Sequence, residues 1–536
     1  MTDKQRLPST LTAWLETRAD REGACIDDAG VTVSWSQLAG RSRRLAAGLS
    51  SLGVRRGDRV GLWLPNRTAW LVGLFACAQL GAIVVSINTR YRSTEVGDLL
   101  KRSGASVLVF WPGFKAIDFA GILGQCGEEV LTSLQTIVAY SEDGNTPLST
   151  IAGKDAVSYA ELIEHEPRST DEAGADSGCI MFTTSGTTRE PKLVLHSQLS
   201  ILGHARNVAR QYGLNADKRF LLLPPLCGVY GLCSAMAALV SDSLLVMDPV
   251  WDPARFADLI DTHRITHFTA SNDAVAQLLE VRSAERPYPS LELVGQANLN
   301  PAHADIAVQA WARGVLATGL YGSSELQGLF SRCNPQETAE IRGRAGGAPA
   351  SAAAKVRTRD TETQRLCAPG EAGELEFFAP ESRFMEYFGN SEATAKAFTG
   401  DGWFKSGDLG TVEPDGSFTF FARMGDTLRL GGFLVSPAEI EAVLQEHPQV
   451  ESCQVVGART QEGVKPVAFV LRRGTEPVNE ASLIAHVSSR LAKYKVPVRI
   501  VAVDEFPITP SANGSKVQKT KLRDMADVLL ARSGAV

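Results

Sequence analysis

Along the first 300 residues, short apolar and β-branched runs alternate with stretches long enough to be helices. VGLWL (60–64) is followed by LVGLFACAQL, AIVVSI, TEVGDLLKRSG and SVLVF. Between residues 180 and 300 the rhythm returns as CIMF, FLLLP, SLLVM and THFTA, again with helical stretches between them. A run that is apolar throughout belongs to a strand covered on both faces, and strands joined by helix-length crossovers lie parallel in a wound α/β sheet. Two such groups predict two wound subdomains. At 536 residues the chain also exceeds what one core can serve, so roughly two to four units are expected.

The longest apolar stretch, Ala69 to Ile87, approaches the ~20 residues that cross a bilayer. Gln79 and Gly81 divide it, and the β-branched run Ile83 to Val85 suits an interior strand, so a buried helix and a strand are expected here and no membrane span. After about residue 350 the texture becomes turn-rich, in GEAGELEFF, DGWFKSGDLG and PDGSFTFF, where Asp-Gly pairs mark tight turns and predict a β-barrel-like region. Beyond Arg423 come SPAEIEAVLQEH, CQVVG, VAFVL and ASLIAHVSSRLAKY, the pattern of a compact α+β unit. The fold class is therefore α/β, with a large N-terminal domain over residues 1–424 and a small C-terminal domain over residues 425–536.

A net charge of -6 argues against a large nonspecific nucleic-acid surface and leaves small phosphorylated ligands as the favoured partners. Nine cysteines are dispersed, without a CxxC pair or a Cys/His cluster at metal-ligand spacing, which fits reduced thiols. The opening MTDKQRLPST lacks the apolar stretch of a secretory signal, so a cytoplasmic protein is expected. The residues do not set the oligomeric state; a homodimer is one expectation.

The most specific local pattern is TTSGTTREPKLV (183–194), between the strand CIMF and a helix expected to open at His196. Thr184, Ser185, Thr187 and Thr188 offer hydroxyl donors, Gly186 lets the backbone approach closely, and Lys192 adds a point charge. Ser/Thr/Gly turns are common in themselves, but the strand before this one and the Pro-Lys after it suit a polyphosphate loop.

On these residues the chain resembles the adenylate-forming superfamily of acyl-CoA synthetases, luciferases and peptide-synthetase adenylation domains, whose phosphate loop reads TSGTTGxPKGV. The resemblance runs from GDRVGLWLPN and LGAIVVSINTRYR to the terminal lysines. LYGSSELQ (320–327) is similar to the family's YGxTE motif. That likeness implies that Tyr321, Gly322 and Ser323 lie against the nucleotide, that Ser324 reaches the α-phosphate and that Glu325 helps hold magnesium. Gly295, Gln296, Ala297 and Asn298 stand where the family's GGAPL lines adenine and the acyl group. GWFKSGDL (402–409) resembles GWxxTGDL, which gives Asp408 the two ribose hydroxyls, and Arg423 matches the ribose-directed arginine of GRxxD.

In the small domain, Gly431, Gly432 and Phe433 resemble the turn over which the pantetheine of coenzyme A passes, where side-chain bulk is excluded. Lys516 aligns with the lysine that bridges carboxylate and α-phosphate, whereas Lys519 and Lys521 are read as solvated charges. The resemblance further implies a hinge at Gly425, a mobile C-terminal lid, and an acyl pocket around Val229, Tyr230, Ser271, Asn272, Ala297 and Gly328.

The implied function is that of a stand-alone acyl-CoA ligase. A carboxylate displaces pyrophosphate from ATP, with Mg2+, and the acyl-adenylate then passes its acyl group to CoA and releases AMP. Departures from the family cluster on the pyrophosphate side. Arg189 and Leu193 replace glycines of the phosphate loop, and Gly425 replaces the usual hinge Asp or Lys. Gly228 and Asn272 replace a histidine and a proline near the acyl pocket. The expectation is that thioesterification of an acyl-adenylate is intact while ATP-dependent activation is weak or absent. The pattern also resembles natural-product CoA ligases of the platensimycin-type diterpenoid pathways, with benzoate-like, fatty and terpenoid acids all open. The competing readings are transfer to a carrier-protein phosphopantetheine, a luciferase-like oxidation, and a nucleotide-binding paralogue without turnover.

Overall fold

The computed structural model describes residues 8–144, 150–184, 191–300, 303–424, 428–430, 433–435, 437–460, 463–491, 493–511 and 514–533. Both predicted groups of buried strands form sheets. In the first, Gly178–Thr183, Ile83–Ser86, Arg59–Trp63, Val107–Phe110, Thr136–Ala139 and Lys154–Ser158 lie side by side and parallel, with short antiparallel strands at the edges. In the second, Leu244–Met247, Arg219–Leu222, His267–Ser271, Leu293–Ala297 and Ala317–Ser323 are parallel neighbours.

Period-2 alternation sends successive side chains of each strand to opposite faces, and here both faces are apolar. Phe220, Leu222, Leu245 and Met247 enter a core shared with Val60, Leu62, Val84 and Ile180 of the first sheet. Leu221, Val246, Phe268 and Val294 enter a separate core under the helices Pro253–Thr262, Asn272–Val281 and Ile306–Ala312. Val85, Leu108, Ile137 and Met181 form the corresponding outer core of the first sheet. The helices Thr68–Leu80 and Val229–Val240 lie between the two sheets; every residue of the first and nearly all of the second are buried. A helix apolar on all sides is a helix with neighbours all round. The stretch Ala69 to Ile87 thus resolves as read. The helix ends where Gly81 takes a left-handed conformation at φ 66, and the strand Ile83–Ser86 follows. Among the described residues no helix is long and apolar enough to cross a membrane.

The region expected to be barrel-like consists of antiparallel strands hydrogen-bonded in series onto the end of the second sheet. Beyond Ala317–Ser323 lie Gln327–Arg332, Gly346–Pro349, Phe418–Arg423, Phe404–Val412, Gly373–Phe378 and Lys355–Arg359. The small domain carries a sheet of Val450–Thr460, Gly463–Arg472 and Arg499–Ala502. The helices Pro437–Gln445 and Glu480–Ser488 cover one face of it, and Lys519–Ser533 covers the other.

One local expectation is overturned. The helix predicted to open at His196 begins only at Gln198, capped by Ser197, and Leu193–Ser197 is a strand antiparallel to Gly178–Thr183. TTSGTTREPKLV therefore joins two antiparallel strands, and no helix opens directly after it. Alternation explains the error: Leu193 and Leu195 face the outer core while Val194 faces the aromatic cluster around Tyr321, a period of 2 that a short polar flank hides.

Gly231, within Val229–Val240, lies so close to the Pro225 carbonyl that a Cβ there would collide with it. Gly231→Ala is expected to cost about 1–3 kcal/mol through overpacking, read as a lowered unfolding midpoint by circular dichroism with the native spectrum retained at room temperature. An unchanged midpoint would contradict this packing.

Candidate active site

The end of Ala317–Ser323 meets the antiparallel pair Phe404–Val412 and Phe418–Arg423, in which Asp408 stands directly opposite Arg423. The Tyr321 hydroxyl donates to Asp408 Oδ2 at 2.6 Å, and Arg423 Nη1 donates to Asp408 Oδ1 at 2.8 Å and to the Ser406 carbonyl at 3.0 Å. Tyr321 and Asp408 are buried, while nearly half of the Arg423 side chain faces solvent. The tyrosine ring stacks on Phe377, with centroids 5.5 Å apart and planes at 18°, and Phe418 and Phe420 flank it. Burial, and next the Asp408 charge, push the Tyr321 hydroxyl well above the ordinary tyrosine range. Burial works against the charge on Arg423, but Asp408 outweighs it and raises the guanidinium further.

A second cluster joins the hairpin to the turn after Tyr321. The hairpin neck is closed by Thr184 N–H donating to the Lys192 carbonyl at 3.0 Å and by Lys192 N–H donating to Thr184 Oγ1 at 2.9 Å. Ser185, Gly186, Thr187, Thr188 and Arg189 lie outside the described residues. Lys192 Nζ sits 4.2 Å from the centroid of the Tyr387 ring, and the Tyr387 hydroxyl donates to Glu325 Oε1 at 2.9 Å. Tyr387 was not singled out in the sequence. It belongs to a two-residue edge strand, Glu386–Tyr387, paired with Leu193–Ser197, and its partners are far away in sequence.

Around these clusters the glycines fill places without room. A Cβ on Gly322 would stand 2.9 Å from the Gln327 carbonyl, one on Gly328 would stand 2.7 Å from Tyr230 Cα, and one on Gly295 would meet the Tyr212 hydroxyl. Gly295 and Ala297 face the inter-sheet side, together with Val229 and Tyr230, whose hydroxyl donates to the Ala270 carbonyl at 3.0 Å and the Gly295 carbonyl at 3.3 Å. Gln296, on the same strand, is wholly buried with Nε2 3.2 Å from Asn298 Oδ1, so its side chain is internal. Ser323 Oγ accepts from Leu326 N–H at 3.2 Å, and the Ser324 carbonyl accepts from His196 Nε2 at 2.7 Å.

Two residues expected to line the acyl pocket also have structural partners. Ser271 caps the helix Asn272–Val281 by accepting from Ala274 N–H at 3.2 Å. Asn272 is fully buried. Its Nδ2 donates to the Asn300 and His303 carbonyls at 2.6 and 3.1 Å, and its Oδ1 accepts from the N–H groups of Leu299 and Asn300 at 3.1 and 3.0 Å. Both amide protons are thus taken by backbone, and the residue holds the backbone of Leu299, Asn300 and His303 rather than making a cavity polar.

Of the small domain's candidates, Gly425, Gly431 and Gly432 lie outside the described residues. The backbone of Phe433 pairs with Leu430 and that of Lys516 with Thr509. Lys519, read as a solvated charge, is instead 3.3 Å from the buried carboxylate of Glu441. Among the described residues no cluster of three or more His, Cys, Asp or Glu side chains could hold a metal.

The two imidazoles behind the Ser324 turn are buried: His196, and His204, whose Nε2 donates to the Gly328 carbonyl at 2.7 Å. Burial lowers both from 6.5 to about 4. Between those values the unfolded chain binds the proton and the fold resists it, so their contribution to stability is complete above pH 6.5 and is lost as pH falls toward 4. Each group is expected to contribute a slope of up to about 1.4 kcal/mol per pH unit, read from denaturant unfolding between pH 7 and 5. A free energy of unfolding that stays flat over that window would contradict neutral, buried imidazoles.

Residues 11–388 match the AMP-binding enzyme family, and residues 439–513 match the AMP-binding enzyme C-terminal domain. A feruloyl-CoA synthase of Amycolatopsis sp is 30% identical over 520 residues, covering 96% of this chain and 98% of the relative. A methyl-dioxo-octahydroindenyl propanoyl:CoA ligase of Mycobacterium tuberculosis is 30% identical over 528 residues, covering 98% and 99%. Among solved structures, an anthranilate CoA ligase in complex with anthranoyl-AMP matches with a TM-score of 0.82 at 25% identity, covering 99% of this chain and 100% of that one. The O-succinylbenzoate coenzyme A synthetase of Bacillus subtilis in complex with AMP gives 0.80 at 25%, covering 95% and 98%. The chain belongs to the AMP-binding enzyme family, carries that family's C-terminal domain, and is an acid–thiol ligase of the acyl-CoA synthetase kind.

Proposed function

We propose that the protein activates a carboxylic acid as its acyl-adenylate and transfers the acyl group to the thiol of CoA. In the first half-reaction a carboxylate oxygen attacks the α-phosphorus of ATP and pyrophosphate leaves; in the second the thiol attacks the acyl carbonyl and AMP leaves. The observation that carries this reading is Asp408, a buried carboxylate held by Tyr321 and Arg423 at the junction of the two strand systems. A carboxylate has about four acceptor sites, so with one donor on each oxygen it retains capacity for a vicinal diol such as a ribose. In this reading Tyr321, Gly322, Ser323, Gly295 and Ala297 line the nucleotide. Thr184, the Ser185–Thr188 segment and Lys192 take the phosphates, Ser324 meets the α-phosphate, and Arg423 reaches the ribose. Catalysis is chiefly positioning and charge stabilisation, since the adenylate is already an activated acyl donor.

Glu325 suits magnesium. That ion keeps several waters and takes one or two carboxylates together with substrate phosphates rather than a protein cage, and one buried carboxylate oxygen donor is what this site offers. When bound, magnesium would neutralise phosphate charge. Residues 1–424 form the proposed AMP- and acyl-binding domain and residues 425–536 the lid, hinged at Gly425. The lid carries Lys516 for the first half-reaction, and Gly431, Gly432 and Phe433 to pass pantetheine in the second.

Leu193 faces the outer core with Met181 and Val85. Arg189 remains as the departure on the pyrophosphate side, and on its account we infer that adenylation is the weaker half-reaction. The acyl group would lie among Val229, Tyr230, Ala297 and Gly328. The names of the feruloyl and octahydroindenyl relatives favour an acid that carries a ring.

Purified protein given a ring-bearing acid, ATP, magnesium and CoA, or a synthetic acyl-AMP and CoA, is expected to yield acyl-CoA and AMP, faster from the adenylate. Asp408→Asn removes one charged acceptor, and a loss of about 1.5–3 kcal/mol predicts roughly 10- to 150-fold weaker AMP binding by calorimetry. Thioester formation on a carrier protein but not on CoA, or AMP binding without any product, would overturn the reading.

A further inference from the structure

Tyr387 connects two charged groups that the proposed function uses separately. Its backbone position is fixed from three sides. Tyr387 pairs with Val194 across the edge of the first sheet, its N–H donates to Thr394 Oγ1 at 2.9 Å, and Phe388 N–H donates to the Leu193 carbonyl at 2.8 Å. Three residues earlier, Phe384 N–H donates to the Glu325 carbonyl at 2.8 Å, which ties the same segment to the turn after Tyr321. The ring is buried against Phe384, with centroids 4.7 Å apart. From this fixed support one face carries the Lys192 ammonium, 4.2 Å from the centroid, and the hydroxyl carries Glu325 Oε1 at 2.9 Å. No ion pair joins Lys192 to Glu325 among the described residues. Each charge is therefore aimed by the same aromatic side chain and is not neutralised by the other.

The two supports differ in kind. An ammonium on a π face is held by the ring quadrupole and leaves its N–H donors largely free, so it still has protons for a phosphate oxygen. A carboxylate accepting one phenolic proton keeps its second oxygen open, so it still has a ligand atom for a hard cation.

We propose that Tyr387 is a positioning residue for the pyrophosphate side of the site: its ring aims Lys192 at the phosphates, and its hydroxyl aims Glu325 at the magnesium that accompanies them. The proposal rests on the acyl-adenylate reading given above and deepens it. It makes the first half-reaction depend on Tyr387 more strongly than the second, because CoA attacks an adenylate from which pyrophosphate has already departed. In the reverse of the first half-reaction a pyrophosphate oxygen bonds to the α-phosphorus of the acyl-adenylate while the bond between the acyl oxygen and that phosphorus breaks, releasing the carboxylate and ATP. That direction engages the same groups however slowly the forward one runs.

The test compares the full-length protein with Tyr387→Phe and Tyr387→Leu in two assays from one synthetic acyl-AMP: ATP formed from magnesium pyrophosphate, and thioester formed from CoA. Phe keeps the ring and loses the hydroxyl. It is expected to raise the magnesium concentration for half-maximal ATP formation about tenfold, while KM for pyrophosphate changes less than about threefold. Leu loses both supports and is expected to raise that KM about tenfold as well. In each variant the loss in ATP formation should exceed the loss in thioester formation by about tenfold or more.

A Phe variant with unchanged magnesium dependence, or variants in which both assays fall in the same proportion, would overturn the proposal and leave Tyr387 as packing. Wild-type protein that makes thioester but no ATP would overturn it too, while the acyl-CoA ligase reading stood. Wild-type protein that makes neither would fail that reading itself.

Discussion

A carboxylate buried between strands holds the site together. Taking an ionised group out of water costs several kcal/mol even after the surroundings relax, so Asp408 at 3% exposure is tolerable only with donors already in place. Arg423 and the Tyr321 hydroxyl are those donors. Hydrogen bonds to charged groups contribute about 1.5–3 kcal/mol each, so losing either donor would leave the buried carboxylate less well compensated. The pair of donors makes three strands interdependent. The register of Phe404–Val412 against Phe418–Arg423 supplies the arginine, and the end of Ala317–Ser323 supplies the tyrosine.

The rest of the fold can be understood as what brings those strands, and the hairpin with Lys192, to one place. Two sheets share a core through helices apolar on every side, so neither sheet can shift relative to the other without opening buried surface. The Lys192 hairpin comes from the edge of the first sheet and the Glu325 turn from the end of the second; Tyr387 and Phe384 bridge them. His196 fixes the carbonyl of Ser324 from beneath. The charged groups thus stand at or beside the ends of sheet strands and are held by hydrogen bonds and ring contacts, an arrangement suited to electrostatic catalysis.

What could be read in the sequence was what local rules govern. The helix Thr68–Leu80 and the strand Ile83–Ser86 were legible because Gly81 interrupts the apolar run and β-branched residues follow. Tyr321, Asp408 and Arg423 were legible only through resemblance to family motifs; nothing local to any of them says that the three meet. Gln296 and Asn272 were assigned to the ligand-facing side by position in a motif, whereas strand alternation and loop geometry turn one inward and commit the other to backbone. Lys519 looked like surface charge because its partner Glu441 lies 78 residues away. Tyr387 was invisible for the same reason, since the charged groups it touches, Lys192 and Glu325, lie far from it in sequence.

The central claim, that the junction around Asp408 grips the AMP half of an activated acid, is tested most directly by a crystal structure with a non-hydrolysable acyl-adenylate analogue. The account predicts ribose hydroxyls about 2.5–3.0 Å from Asp408, with the acyl group directed toward Tyr230 and Gly328. An analogue seated elsewhere, with the Tyr321–Asp408–Arg423 cluster untouched, would contradict it.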